Sequence, residues 1–210
     1  MVKYTLMYFA MRGRCEPIRF ILAHAGADYE DKRIPPDQWP AAKPDTPMGQ
    51  LPVLWVDDKP LCQAAVIASF LGRQFGLAGK DDYEAALCEM LYTGLNDFLT
   101  AHFSAFIMAF GILNDKAKAE AVKKKLTDEG TVPNFLKLYN GFLVANGTGW
   151  FVGDRITWVD LAIGEFFGRV EEVFDPSALD NYPELRSHYK KVHQLPNIKK
   201  YLATRPACPI

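Results

Sequence analysis

The sequence predicts a small α/β domain followed by an all-helical domain. Up to about residue 76, short apolar-rich runs typical of strands alternate with stretches of helical spacing. From about residue 82 onward there is no strand alternation, and one helical segment follows another. The glycine-containing stretch 76–80 separates the two patterns. We therefore expect one domain over residues 1–77 and a helical bundle over residues 82–210.

The α/β pattern begins with a strand, a helix and a second strand. The first strand is expected at about residues 3–8, and the next helix has Pro17 in its first turn and Gly26 as its stop. Tyr29–Arg33 is the second predicted strand. The proline-rich stretch 34–52 has no regular period, and its length indicates a functional loop.

A hairpin and a helix complete this domain. Val53–Val56 and Pro60–Cys62 flank a polar turn, which is the pattern of two antiparallel strands. A helix is predicted from Gln63 because helical spacing resumes there, with apolar residues at Val66, Ile67, Phe70, Leu71 and Phe75.

One helix start in the second domain has a sharper signal than periodicity. Thr157 is an N-cap residue, and Asp160 stands three positions later. Ile156 and Leu161 can form a hydrophobic staple across the cap. Such a cap contributes about 1 kcal/mol and fixes how the chain enters the helix. We expect it to have a structural role and no catalytic one.

Composition, charge and residue spacing argue against several classes of protein. The 210-residue chain has 24 basic and 25 acidic residues, and its net charge of −1 argues against a nucleic-acid binder. No apolar run approaches the roughly 18 residues of a membrane-spanning helix and no signal segment is evident, so we expect a cytoplasmic protein. The cysteines and histidines lack metal-ligand spacing, so we expect no metal site and interpret the cysteines as free thiols.

Tyr8 is placed where an α/β unit commonly binds ligands. It ends the first strand, just before a turn and a helix start whose amino terminus adds positive potential. Its hydroxyl can donate a hydrogen bond to an anion such as a thiolate, and Arg14 can add charge. The alternative is that Tyr8 only covers a strand end, as its β-propensity allows.

Pro52 directly precedes a strand, which raises the question of its peptide-bond isomer. A cis Leu51-Pro52 bond would leave the Leu51 N–H and C=O free to pair with an extended, peptide-like ligand. An ordinary turn is the alternative.

Polar groups near this strand can hold carboxylates. Gln63-Ala64 begins a helix, whose backbone amides can bind an anion. Gln50 offers a second side-chain amide, while Trp39 and Lys43 can contact another carboxylate from the loop. The ligand that fits these groups is small, peptidic and anionic, although each residue alone is more often a surface or core residue.

Together these motifs resemble the cytosolic glutathione transferases over essentially all 210 residues. The segments that carry the resemblance are Tyr8 after the first strand, Arg14, Trp39 with Lys43, Gln50-Leu51-Pro52-Val53-Leu54, Gln63-Ala64 and the Thr157–Asp160 cap. Phe9 and Arg12-Gly13-Arg14 beside Tyr8 are most similar to the sigma class. Lys43–Asp45 and Leu71–Gly76 are similar to its nematode members.

The resemblance implies a thioredoxin-like first domain, a helical second domain, a homodimer and glutathione as co-substrate. Tyr8, assisted by Arg14, would hydrogen-bond the glutathione sulfur. The groups implied to hold the rest of glutathione are Trp39 and Lys43 at the glycine carboxylate, Leu51 with Pro52 at the cysteinyl unit, the Gln50 amide, Gln63 and Ala64 at the γ-glutamyl end, and Asp97 of the partner subunit at the amine.

The resemblance also implies that the thiolate attacks a small hydrophobic electrophile, with reduction of organic hydroperoxides as a related activity. The electrophile would lie between the domains, against Phe9, Phe103 and Phe106. Aromatic residues on helices are more often core residues, which is the alternative for the last two.

Ala64 departs from the sigma-like pattern, in which serine is usual. The missing hydroxyl would cost about 1.5–3 kcal/mol, or about 10- to 150-fold in glutathione affinity, if nothing compensates. A non-catalytic or weakly catalytic binding protein for haem or other hydrophobic ligands on the same fold is therefore the alternative function. A thiol-disulfide oxidoreductase is disfavoured, because position 8 is tyrosine and no C-x-x-C follows.

Overall fold

The first domain has the predicted order of strands around one sheet. The structure is a computed structural model that describes residues 2–102, 105 and 115–207. Its strands are β1 (Tyr4–Phe9), β2 (Tyr29–Ile34), β3 (Val53–Val56) and β4 (Lys59–Cys62), in the sheet order β2-β1-β3-β4. β1 is parallel to β2 and antiparallel to β3, and β3 and β4 form the predicted hairpin. This is a thioredoxin-like arrangement, as expected.

Two helices of this domain, α1 (Glu16–His24) and α3 (Ala64–Gln74), pack against each other. Pro17 lies in the first turn of α1, and Gly26 follows the helix with a φ of 64°. Ile67 and Leu71, which helical spacing places on the apolar face of α3, are fully buried, as are Ile18, Ile21 and Leu22 on α1. Val66, which was predicted on the apolar face of α3, is instead 47% exposed.

The stretch between β2 and β3 is more regular than predicted. It holds 3₁₀ turns at Pro36–Gln38 and Lys43–Asp45, on either side of the short helix α2 (Trp39–Ala42). A proline lies in the first turn of each of these pieces. Proline is well suited to that position because its fixed φ matches a helix and its missing N–H needs no partner there. The prolines that suggested an irregular loop therefore start short helical turns.

The second domain is helical, as predicted. Its helices within the described residues are α4 (Asp82–Ala101), α5 (Lys116–Asp128), α6 (Thr131–Asn146), α7 (Trp158–Arg169), α8 (Pro183–His193) and α9 (Pro196–Thr204). A π-helical turn, Val170–Phe174, follows α7. Of the helices that the structure describes, none has the length and apolar character needed to cross a membrane.

Helix α7 lies at the centre of the molecule and packs against helices of both domains. All of its residues are buried, and it contacts α1, α3, α4 and α8. Gly72 allows α3 to approach it closely, because a β-carbon at position 72 would lie 2.3 Å from the Trp158 ring. Side chains on α7 can therefore contact residues of both domains.

The predicted cap at the start of α7 is confirmed, and Asp160 makes more contacts than the cap alone requires. Asp160 Oδ2 accepts hydrogen bonds from the Thr157 N–H at 2.8 Å and from the Thr157 hydroxyl at 2.7 Å. Its Oδ1 accepts the Phe151 N–H at 2.8 Å and lies 3.0 Å from His188 Nε2. Ile156 and Leu161 both pack into the core. One carboxylate therefore links α7, the preceding loop and α8.

Candidate functional site

Tyr8 lies near the carboxyl end of β1 and is 7% exposed. Its hydroxyl oxygen accepts the Arg14 N–H at 3.3 Å. Within the described part of the chain the same hydroxyl donates to no acceptor, so its proton is available to a ligand. Burial raises the pKa of Tyr8, and the Arg14 N–H opposes that rise. The phenol is therefore protonated at neutral pH and can act as a donor.

Gly13 makes the close approach between Tyr8 and the following turn possible. Its φ is 45°, in the left-handed region that favours glycine. A β-carbon there would lie 2.6 Å from the Tyr8 hydroxyl oxygen, well inside van der Waals contact. The sequence shows that Gly13 lies between two arginines. Why this position needs a glycine becomes evident only from the location of the Tyr8 ring in the structure.

Each residue of the turn Arg12-Gly13-Arg14 contacts the helical domain. Arg12 forms two hydrogen bonds of 2.7 Å with the Glu172 carboxylate, and this holds the pKa of Glu172 below its usual value. The Gly13 carbonyl oxygen accepts a hydrogen bond of 3.4 Å from Arg169 Nη1. Arg14 Nη2 donates to the Thr100 hydroxyl at 3.1 Å. The turn that contacts Tyr8 is thus fixed from the second domain.

Arg169 and Glu165 form a buried pair beneath this turn. Their side chains are 7% and 2% exposed, and Arg169 Nη2 lies 2.9 Å from Glu165 Oε2. Burial raises the pKa of Glu165 to about 7, against the opposing effect of Arg169. Sequence reasoning missed Arg169, Glu165, Thr100 and Glu172, because no local motif marks residues that meet the turn only in three dimensions.

Aromatic contacts connect Tyr8 to the loop. The Tyr8 and Phe9 ring centroids are 5.6 Å apart, and those of Phe9 and Trp39 are 5.7 Å apart, both edge to face. Lys43 is exposed on the same loop, and its side chain packs over Gly49, where a β-carbon would lie 3.2 Å from Lys43 Cε. Trp39 and Lys43 therefore lie on the segment between β2 and β3, and Phe9 connects Trp39 to Tyr8.

The residues before β3 and α3 also come together. Gln63 Nε2 donates to Gln50 Oε1 at 3.3 Å, so the two side-chain amides lie side by side. The Leu51-Pro52 bond is cis, as hypothesised. Gln63 has a φ of 70° at the N-cap of α3, and Ala64 starts the helix. The backbone amides of that first turn have no partners within the helix, which suits an anion.

Asp97, one of the predicted site residues, does not join this cluster. Asp97 is exposed on α4, and its implied ligand contact requires a second copy of the chain. Phe103 and Phe106 lie outside the described residues. In the described part of the interdomain groove, a cavity of about 10 Å³ is lined by residues that include Arg14, Leu99, Phe166 and Arg169. A larger cavity of about 380 Å³ lies toward the amino end of β1, beside Lys3 and Trp55.

No set of three or more His, Cys, Asp or Glu side chains in residues 2–102, 105 and 115–207 is arranged to hold a metal ion. Cys15, Cys62 and Cys88 are free thiols, as predicted, while Cys208 lies outside the described residues. Cys15 is the thiol nearest in sequence to Tyr8; it is fully buried, and burial raises its pKa. A buried, protonated thiol is a poor nucleophile, which disfavours thiol-disulfide exchange at this site.

Comparisons with known proteins point to one family. Residues 4–73 match the model of the glutathione S-transferase N-terminal domain, and residues 102–205 match that of the C-terminal domain. Probable glutathione S-transferase 7 of Caenorhabditis elegans is 41% identical, with 100% of each chain covered. The crystal structure of the glutathione S-transferase from Ascaris lumbricoides has a TM-score of 0.90 at 38% identity, covering 99% of this chain and 100% of that one. Na-GST-3 of Necator americanus, described as monomeric, has a TM-score of 0.91 at 35% identity, with full coverage of both chains.

Proposed function

This chain belongs to the glutathione S-transferase family and is a glutathione transferase, and on that premise we propose that Tyr8 activates the glutathione thiol for attack on small hydrophobic electrophiles. The observation that carries the proposal is the Tyr8 hydroxyl, whose oxygen accepts the Arg14 N–H while its proton is available. Detoxification of such electrophiles is the role we infer. Conjugation of glutathione to chlorodinitrobenzene by the wild-type protein is the direct test.

The proposed chemistry is stabilisation of an anion. A free thiol has a pKa of about 8.5, so only a few per cent is thiolate at neutral pH. A hydrogen bond from the Tyr8 O–H to the sulfur favours the thiolate, and the thiol proton leaves to solvent. The sulfur then forms a bond to the electrophilic carbon, and the leaving group departs with its electron pair. Arg14 supports this by donating its N–H to the phenol oxygen and by its positive charge.

Organic hydroperoxides are a second class of substrate for the same thiolate. Attack of the sulfur on the terminal oxygen breaks the O–O bond and releases an alcohol. A second glutathione then reduces the oxidised sulfur and gives glutathione disulfide and water. This activity needs no residue beyond those proposed for conjugation.

We assign the remaining polar residues to the peptide part of glutathione. The adjacent amides of Gln50 and Gln63 and the first turn of α3 at Ala64 support a carboxylate site for the γ-glutamyl end. The Leu51 backbone would pair with the cysteinyl unit. Trp39 and Lys43 would hold the glycine carboxylate. Phe9, Phe103 and Phe106 remain the proposed wall of the electrophile site.

A homodimer is part of the proposal, because Asp97 would reach the glutathione of the other subunit. Large exposed apolar side chains on α3 and α4, Val66 at 47% and Met90 at 49%, support a surface covered by a second copy. The relative from Necator americanus is described as monomeric, so the oligomeric state is a property to measure.

We also propose that the first domain ends at residue 77 and the second begins at residue 82, as the sequence pattern indicates.

Ala64→Ser is expected to tighten glutathione binding by about tenfold, because a hydroxyl at this position adds a hydrogen bond to a charged carboxylate. The expected result is a lower Kd in calorimetric titration and a lower KM for glutathione, with kcat nearly unchanged. Ala65→Ser, at the next position of α3, is the matched control and should leave both values unchanged. An unaltered Kd in Ala64→Ser would remove Ala64 from the glutathione site.

The same titration separates the transferase from a binding protein on the same fold. A transferase binds glutathione and turns over before any substitution. A protein for haem or other hydrophobic ligands would bind such a ligand without turnover, and Tyr8→Phe would leave that binding intact. If wild type neither bound nor conjugated glutathione until Ala64→Ser restored both, the binding alternative would replace the proposed function.

Gly13→Ala is expected to lower kcat/KM by about tenfold or more, because the new methyl group would meet the Tyr8 hydroxyl at 2.6 Å and φ is unfavourable for alanine. Gly141→Ala is the control, since a β-carbon there meets nothing within 4 Å. Steady-state kinetics measures both variants. Equal activity of Gly13→Ala and wild type would mean that the Tyr8 hydroxyl does not need its observed position.

A further inference from the structure

The peptide group between Gly13 and Arg14 is held at both ends. Its N–H, which belongs to Arg14, donates to the Tyr8 hydroxyl oxygen at 3.3 Å. Its carbonyl, which belongs to Gly13, accepts from Arg169 Nη1 at 3.4 Å. A single planar unit therefore lies between the proposed catalytic phenol and a guanidinium of the helical domain.

Arg169 is in a fixed position. It ends α7, whose residues are all buried, and a cation is favoured at the carboxyl end of a helix. Glu165 lies one turn earlier and binds Arg169 Nη2 at 2.9 Å, which leaves Nη1 directed at the Gly13 carbonyl. With both side chains less than a tenth exposed, water screens this contact little.

We propose that Arg169, held by Glu165, is a positioning residue of the transferase reaction that orients and polarises the Gly13-Arg14 peptide against the Tyr8 hydroxyl. A guanidinium on the carbonyl strengthens the N–H of the same peptide as a donor, because hydrogen bonds in a chain polarise one another. A stronger bond to the phenol oxygen makes the Tyr8 O–H a better donor to the thiolate. The inference rests on the proposed role of Tyr8 and extends it across the domain boundary.

Arg12 and Arg14 do not replace this function. Arg12 is paired with Glu172, because its Nη1 and Nη2 each donate a hydrogen bond of 2.7 Å to that carboxylate. The Arg14 guanidinium reaches Thr100 on α4. Arg169 is the guanidinium, among the residues that the structure describes, that binds the Gly13 carbonyl.

The test is a double variant, Glu165→Gln with Arg169→Met, which removes both charges and leaves no buried ion unpaired. The readout is the pKa of the thiol of bound glutathione, followed by the ultraviolet absorbance of the thiolate. We expect this pKa to rise by about half to one unit and kcat/KM to fall about 3- to 10-fold, since one unit corresponds to tenfold in the thiolate equilibrium. Arg169→Lys, which keeps a cation but not the planar fork, should fall between wild type and the double variant.

The control is Glu171→Gln with Arg186→Met, which removes an ion pair of 2.6 Å and the second contact of Arg186, to Asp180. Neither replaced side chain hydrogen-bonds the turn. The control variant should retain the wild-type thiol pKa even if its Tm falls. The positioning role is overturned if the folded double variant has the wild-type thiol pKa and kcat/KM, or if its changes match those of the control. If the double variant does not fold, Arg169→Lys decides: a raised thiol pKa supports the role, and a wild-type value contradicts it.

The wild-type titration keeps this inference separate from the proposed function. If wild-type protein lowers the thiol pKa and the double variant lowers it equally, only the role of Arg169 fails. If wild-type protein leaves the thiol pKa at the free value, the proposed role of Tyr8 fails and the role of Arg169 fails with it.

Discussion

Replacing Tyr8 by phenylalanine is expected to lower kcat/KM for conjugation of chlorodinitrobenzene by about 10²- to 10³-fold, the usual effect of removing one preorganised donor to a developing anion. The substitution removes one oxygen and leaves the ring that packs against Phe9. Binding of glutathione should change little, because most proposed contacts are to other parts of the molecule. The loss should therefore appear in kcat and in the thiol pKa more than in the Kd.

Tyr4→Phe is the matched control for this variant. Tyr4 lies on the same strand and is 8% exposed, but its ring packs against Phe75 and lies four positions before Tyr8. It should keep wild-type kinetics. A Tyr8→Phe variant with the activity of Tyr4→Phe would show that another group stabilises the thiolate.

Replacing Asp160 by asparagine is expected to cost about 3–5 kcal/mol of unfolding free energy, the range measured when one partner of a buried charged network is removed. The carboxylate is fully buried and accepts the N–H and hydroxyl of Thr157 and the N–H of Phe151, with His188 as a fourth contact. An asparagine amide has one acceptor oxygen in place of two, so either the Thr157 donors or the Phe151 N–H would lose their acceptor. Urea unfolding measures the change, and Tm should fall by roughly 10 °C.

Asp154→Asn provides the comparison, because Asp154 lies in the same loop but is exposed. Its unfolding free energy should stay within about 0.5 kcal/mol of wild type. Asp160→Asn with wild-type stability would mean that the four contacts do not act as a network. Loss of activity in the folded variant would contradict the purely structural role expected from the sequence.

Local signals explain why much of the fold could be predicted. Pro17 and Gly26 mark the two ends of α1, and alternation around a polar turn marks the hairpin of β3 and β4. The Thr157 cap needs only three residues of sequence to be recognised. Tyr8 and Arg14 are six residues apart, so their contact is short in sequence as well as in space.

The parts that were missed depend on contacts between distant residues. Arg169 meets the turn across 156 positions, and Arg12 meets Glu172 across 160, so neither contact leaves a pattern in a local window. The helical turns between β2 and β3 were missed because prolines signal both loops and helix starts. Val66 fits the helical spacing of the buried face, yet it lies on the exposed side of α3.

The central claim, that Tyr8 makes this chain a thiolate-stabilising transferase, is tested most directly by titrating glutathione bound to the wild-type protein and following thiolate absorbance against pH. The expected result is a bound-thiol pKa at least about one unit below the free value of about 8.5. Tyr8→Phe should return it close to that value. A thiol that titrates at the free value in the wild-type complex would contradict the claim.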